Sequence, residues 1–260
     1  MVTHGNEALL EISGGIAVIS INRPKFLNSV SDITMREIES ALNAVEDDEN
    51  VKVVIITGVG DKAFCAGRDI SGFADASQEE IRELALYAHS VCDKIQGFPK
   101  PVIAAVNGVA FGAGCELACA CDFRIATEFA RFGLPEVSLG IIPGMGGTQR
   151  LPRLIGPGPA KYYTITNEHI IAPRALELGL VEKVVPITEL MPVCKAIAAK
   201  IMRNSSSAVR IARSAINRGS DVELSAGILI EVDSFIEAYY TPDRQEGVAA
   251  FLEKRRPKFQ

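Results

Sequence analysis

Apolar positions in the first half of the chain fall into short runs that alternate between two periods. Leu9 to Ile12 and Ile16 to Ile21 flank Ser13-Gly14-Gly15, a pattern that predicts a hairpin closed by a glycine turn. Ser31 is placed to cap a helix in which Met35, Ile38, Leu42 and Val45 recur at helical spacing. The acidic run Glu46 to Glu49 would oppose the dipole at a helix C-terminus, so it is expected beyond the last turn. Val53 to Thr57 is a β-branched run of the kind found in strands buried on both faces. The order then repeats. Ser77 and Glu80 are spaced as a capping box for a helix to about Gln96, Pro99-Lys100-Pro101 interrupts it, and Val102 to Val106 reads as a second buried strand, with a third at Phe123 to Ala126.

Strands alternating with helices imply right-handed crossovers and a largely parallel arrangement. Periodicity alone therefore predicts an α/β fold with a doubly wound sheet. From Leu190 onward only helical patterns remain, at Leu190 to Met202, Ser207 to Asn217, Val222 to Tyr240 and Arg244 to Arg256. The third carries Leu224, Ile228, Leu229, Val232, Phe235 and Ile236, more apolar surface than a free helix needs, and is expected to pack on the core or on another subunit.

At 260 residues and 48% hydrophobic content the chain has ample material for a large core. The net charge of −5 disfavours broad nucleic-acid binding, which depends on Lys and Arg neutralising phosphates. Neither a signal-peptide pattern nor an apolar run of roughly 20 residues is present, so a cytoplasmic protein without a membrane span is expected. Six cysteines (Cys65, Cys92, Cys115, Cys119, Cys121 and Cys194) lack the paired spacings of a disulfide framework and read as reduced, buried thiols. Cys115 and Cys119 would share a helix face, but Cys121 would point elsewhere and no fourth ligand follows, so no metal site is expected.

With only three histidines (His4, His89 and His169) and no tryptophan, the candidate chemistry rests on two glutamates. Glu116 follows Phe111-Gly112-Ala113-Gly114-Cys115, and Glu136 follows Phe132-Gly133-Leu134-Pro135, ahead of Ile142-Pro143-Gly144-Met145-Gly146-Gly147-Thr148. Bare amides at a helix start near Gly112 to Gly114 make a cradle for negative charge. The loop Ala63-Phe64-Cys65-Ala66-Gly67-Arg68-Asp69 leaves another strand end and offers a second donor, as an oxyanion hole requires. Each glutamate also has a plainer reading, Glu116 as a helix-dipole partner and Glu136 as a surface loop residue. Gly112-Ala113-Gly114 lacks the third glycine of a dinucleotide-binding turn, with Leu117 in its place.

These segments, together with Pro101-Val102-Ile103-Ala104-Ala105-Val106-Asn107-Gly108, Cys115-Glu116-Leu117-Ala118, Cys121-Asp122 and Pro143-Gly144-Met145-Gly146-Gly147-Thr148-Gln149-Arg150, resemble the enoyl-CoA hydratase branch of the crotonase superfamily. Asn22-Arg23-Pro24-Lys25 near the start and Glu246-Gly247 with Phe251 to Arg255 near the end extend the likeness over essentially the whole chain.

The resemblance implies a spiral of repeated β-β-α units over residues 1–195 and a helical oligomerisation region over 196–260, assembling as a trimer or a dimer of trimers. It implies reversible hydration of a short-chain 2-enoyl-CoA, with the backbone N–H groups of Arg68 and Ala113 as the oxyanion hole. Glu116 would activate water and Glu136 would supply the proton. Acyl-CoA contacts are implied for Lys25, Phe26, Leu27, Ala66, Gly67, Asp69, Ile70 and Gly112, and for Phe235 and Lys254 from a neighbouring subunit. No cofactor is implied, CoA being part of the substrate.

The chain also departs from the family's pattern. Ala113 stands for a common glycine, Arg68 for alanine, Ser71 for lysine, Leu134 for a polar residue and Asn167 for a glycine whose position must be left-handed to accept it. Phe73, Ala113 and Leu139 are the expected neighbours of the acyl group. Enoyl-CoA isomerase, dienoyl-CoA hydratase and acyl-CoA hydrolase are alternative reactions on the same fold, and RNA binding is a non-enzymatic alternative that the acidic charge disfavours.

Overall fold

The structure, a computed structural model, describes residues 6–71 and 76–259; His4 and Phe73 lie outside them. The chain opens with the hairpin β1 (Ala8–Ser13) and β2 (Ile16–Ile21), followed by α1 (Asp32–Glu46). Two units of the same plan follow: β3 (Val53–Gly58), β4 (Ala63–Cys65) and α2 (Gln78–Gly97), then β5 (Val102–Val106), β6 (Val109–Phe111) and α3 (Ala113–Ala120). A third contains β7 (Phe123–Thr127), β8 (Arg131–Gly133), α4 (Gly147–Ile155) and α5 (Pro157–Thr166). The remainder is β9 (Ile170–Ile171), α6 (Ala172–Glu177), β10 (Lys183–Val185), α7 (Ile187–Ile201), α8 (Ser206–Gly219), α9 (Leu224–Tyr239) and α10 (Pro242–Leu252).

The hairpin strands, the first strand of each later unit and β10 form a six-stranded sheet in the order β1-β2-β3-β5-β7-β10, and the second strands of the later units with β9 form a four-stranded sheet ordered β4-β6-β8-β9. From β2 onward every neighbour in the large sheet is parallel and the order advances in one direction. This corrects the doubly wound sheet expected from periodicity. A doubly wound sheet reverses direction at a switch point, whereas here each β-β-α unit after the opening hairpin adds one strand to each sheet and moves on, giving the expected spiral.

Local signals explain most element boundaries. Ser77 and Glu80 form the anticipated capping box, and Ser31 forms another with Thr34. Only Glu46 of the acidic run belongs to α1, whose end is further satisfied by Lys100 Nζ donating to the carbonyls of Val45 and Asp48 at 2.6 and 2.7 Å. Asn167 adopts the left-handed conformation its substitution for glycine requires. All six cysteines are buried free thiols.

β3 and β5 are buried at every residue because the large sheet is covered on both faces. One face packs on Leu190, Cys194 and Ala198 of α7; the other belongs to the main core shared with α1, α2 and α3. α9 packs mainly on α8 and leaves Leu224, Ile228, Leu229 and Phe235 exposed. Among the described residues no helix is long and apolar enough to cross a membrane.

Candidate active site

Two glycines bring the site together by what they lack. A Cβ on Gly114 would stand 2.0 Å from the carbonyl oxygen of Cys65, so the start of α3 presses directly on the strand-end loop after β4. A Cβ on Gly112 would stand 3.7 Å from Gly67 Cα and 2.8 Å from Glu136 Oε1. The predicted amide loops and one of the two glutamates therefore converge around residue 112.

Gly112 N–H is itself engaged by the carbonyl of Gly133 at 2.9 Å, tying β6 to β8. Ala113, the first residue of α3, has an N–H with no acceptor among the described residues, as expected at a helix start. The Arg68 N–H also has no acceptor among the described residues, for a different reason. Val30 and Arg68 form an isolated parallel bridge in which Val30 N–H donates to Gly67 O and Asp69 N–H donates to Val30 O, each at 2.9 Å. That bridge points the intervening Arg68 N–H the opposite way, while its guanidinium pairs with Asp32 at the start of α1.

Glu116 is 1% exposed. Its Oε1 accepts the N–H groups of Met145 at 2.8 Å and Gly147 at 2.7 Å, so it caps the N-terminus of α4 as well as standing in the first turn of α3. Burial raises its pKa, opposed by those two hydrogen bonds and by the nearby Arg150 charge. No donor engages Oε2 among the described residues.

Glu136 lies in the 3-10 turn Pro135–Leu139, and its Oε2 is buried with no hydrogen-bond partner among the described residues. Desolvation, reinforced by the charge of Glu116, pushes its carboxyl up to about 7. Leu134, fully enclosed beside Gly147, contributes an apolar wall. Two carboxyls are thus held unequally, one gripped by two amides of another loop and the other eased only by its own backbone N–H, with Oε2 left without a partner among the described residues, which is the arrangement that separates a base from an acid.

The structure places the other expected residues in two groups. Lys25 and Phe26 end the 3-10 turn Pro24–Phe26, and Leu27 O accepts Ala66 N–H at 3.0 Å, so this turn lies along the Ala66 to Ile70 loop. Phe26, Leu27 and Ile70 are exposed there. Asp69 shapes the loop: its carboxylate takes the Ser71 hydroxyl and Arg23, which hold its pKa below the usual range, and its N–H is engaged by Val30. Phe235 on α9 is 69% exposed and Lys254 lies beyond α10, and among the described residues no hydrogen bond or ion pair joins either to this group. Of the expected acyl neighbours, Ala113 is buried and Leu139 exposed.

Sequence reasoning missed what the 144–147 glycines do. The N–H groups of Met145 and Gly147 hold the Glu116 carboxylate. It also missed Arg150, whose side chain bonds Gln96, Asp93 and the carbonyl of Met145.

The sequence model of the enoyl-CoA hydratase/isomerase family matches residues 11–260. Over 251 residues, covering 96% of both chains, this protein is 49% identical to a crotonyl-CoA hydratase of Syntrophomonas wolfei and 45% identical to a short-chain-enoyl-CoA hydratase of Clostridium acetobutylicum. Its structure superposes with a TM-score of 0.92 on an enoyl-CoA hydratase from Bacillus anthracis that is 43% identical, covering 97% of this chain and 98% of the other. The paired carboxyls and free amides thus sit in a chain that matches these proteins nearly end to end, and the chain belongs to the enoyl-CoA hydratase/isomerase family.

Proposed function

We propose that this protein is a short-chain 2-enoyl-CoA hydratase, adding water reversibly across the 2,3 double bond to give a 3-hydroxyacyl-CoA. The observation that carries the reading is the unequal pair: Glu116 anchored through one oxygen by two amides, and Glu136 half-buried, with its Oε2 buried and without a hydrogen-bond partner among the described residues and its carboxyl pushed up to about 7. The names of the relatives, crotonyl-CoA hydratase and short-chain-enoyl-CoA hydratase, support the substrate class.

In this reading the thioester carbonyl oxygen sits between the N–H groups of Arg68 and Ala113. As water adds to C3, electron density moves from the double bond onto that oxygen, where two fixed donors stabilise it. Glu116 takes a proton from the water through Oε2, and Glu136 gives its proton to C2. The net change is one water added and one proton moved from Glu136 to Glu116. Dehydration runs the same steps backwards.

The CoA portion is assigned to Lys25, Phe26, Leu27, Ala66, Gly67, Ile70 and Gly112, with Asp69 holding the loop in shape. Phe235 and Lys254 are assigned to the site of a neighbouring subunit in a trimer or a dimer of trimers, which accords with the exposed apolar face of α9. The division into a 1–195 spiral core and a 196–260 oligomerisation region belongs to the same proposal, with α7 straddling the boundary. A cytoplasmic location and a reaction needing no cofactor complete it.

The experiment is to incubate the purified protein with crotonyl-CoA and identify the product. A 3-hydroxybutyryl-CoA product without release of free CoA thiol supports hydration. Release of CoA thiol identifies a hydrolase. Conversion of a 3-enoyl-CoA to its 2-enoyl isomer, with no water added to crotonyl-CoA, identifies an isomerase.

A further inference from the structure

We propose that Arg150 is a positioning residue for Glu116: it fixes the Met145–Gly147 loop so that two backbone N–H groups grip one carboxylate oxygen and leave the other facing the substrate. The inference rests on the hydratase reading for its catalytic meaning and on contacts alone for its structural one.

The loop that holds Glu116 runs through Pro143-Gly144-Met145-Gly146-Gly147, a stretch with few side chains to fix its conformation. Arg150 supplies that constraint from both ends of its own residue. Its backbone N–H donates to Gly146 O at 2.7 Å, and its Nη1 donates to Met145 O at 3.0 Å. The peptide between Gly146 and Gly147 is therefore bonded at both ends, its carbonyl accepting from Arg150 and its N–H donating to Glu116 at 2.7 Å. The guanidinium curls so closely over the loop that a Cβ on Gly146 would stand 2.1 Å from Nη1. Its other nitrogens are anchored on α2, Nε to Gln96 Oε1 at 2.8 Å and Nη2 to Asp93. The clamp thus ties the amides that hold Glu116 to a helix outside the site.

The same guanidinium contributes positive charge that favours the ionised form of Glu116 against the burial that disfavours it. The titratable groups that face Glu116 are Glu136 from the 3-10 turn and the thiols of Cys65, Cys92, Cys115 and Cys119 from β4, α2 and α3. A water-activating carboxylate must be both ionised and still. A displacement of about 1 Å is enough to cost on the order of 100-fold in rate.

The test compares wild type, Arg150→Met and Arg150→Lys by carboxyl titration with carbon-13-labelled glutamate, using Glu116→Gln to assign the resonance, and by kinetics on crotonyl-CoA. In the Met variant the Glu116 titration is expected to move upward and kcat to fall roughly 100-fold, with KM changed less than about threefold. The Lys variant, retaining charge without the fork, is expected to restore the titration but not the rate. Circular dichroism and gel filtration report whether each variant is folded, and a Met variant that does not fold leaves the decision to Lys. An unmoved Glu116 titration in folded Met protein, or full kcat in the Lys variant, overturns the proposal. If wild type does not hydrate crotonyl-CoA, the functional reading fails, and the titration alone still decides whether Arg150 acts on Glu116.

Discussion

The α-carbon of Gly112 faces the carboxyl of Glu136 so closely that an added Cβ would stand 2.8 Å from Oε1. Gly112 also has φ +50, a conformation that side-chain-bearing residues rarely adopt. Gly112→Ala is therefore expected to displace the proton donor and strain the turn that starts α3. Crotonyl-CoA hydration should fall at least 10-fold, with a loss of stability of about 1 kcal/mol or more, read by kinetics and thermal unfolding. Wild-type turnover in this variant would show that Glu136 Oε1 has no fixed place in the reaction.

The oxyanion assignment is tested by replacing the donor N–H with a proline ring carbon. Ala113 is the first residue of α3, where proline is tolerated because that N–H makes no intrahelical bond. Ala113→Pro is expected to keep its far-ultraviolet circular dichroism and lose roughly 100 to 1000-fold in kcat. A folded variant with undiminished kcat would remove Ala113 from the oxyanion hole.

Glu136 carries a cost to stability that depends on pH in a calculable direction. Its pKa in the folded chain is about 7 against an ordinary 4.5, so the native state binds the extra proton between those values. The group's contribution is fully present below about 4.5 and is lost as pH rises through about 7. Glu136→Gln removes the charge and should melt a few degrees above wild type at alkaline pH, roughly 2–4 °C per kcal/mol. The gap should close as pH falls below 4.5. A gap independent of pH would mean that the carboxyl is not desolvated.

The architecture was legible in the sequence wherever local signals governed it. The hairpin around Gly14-Gly15, the Ser77/Glu80 box and the buried runs of β3 and β5 all follow from spacing within one element. The spiral was not legible from periodicity because its second sheet is made of β4, β6 and β8, each three residues long, and the two-residue β9, all too short to express an alternation. The site divides the same way. Glu116, Glu136 and the glycine-rich loops stood out as residue types, but the grip of Met145 and Gly147 on Glu116 joins positions 29 and 31 residues apart, which no local pattern specifies.

The exposed face of α9 gives a prediction about assembly. Leu229 is 65% exposed amid Leu224, Val232 and Phe235. Leu229→Glu is expected to convert the proposed trimer or hexamer to smaller species in light scattering after gel filtration, and to weaken binding of acyl-CoA if Phe235 and Lys254 act across subunits. An unchanged mass would exclude this face from the interface.

The most direct measurement of the central claim is the rate at which the enoyl-thioester absorbance of crotonyl-CoA is lost, compared among wild type, Glu116→Gln and Glu136→Gln as a function of pH. Glutamine preserves shape and hydrogen bonding but cannot exchange a proton. The account predicts turnover by wild type that declines above about pH 7 as Glu136 loses its proton, and a loss of at least roughly 100-fold in each folded variant. Inactive wild type, or a glutamine variant as active as wild type, would contradict it.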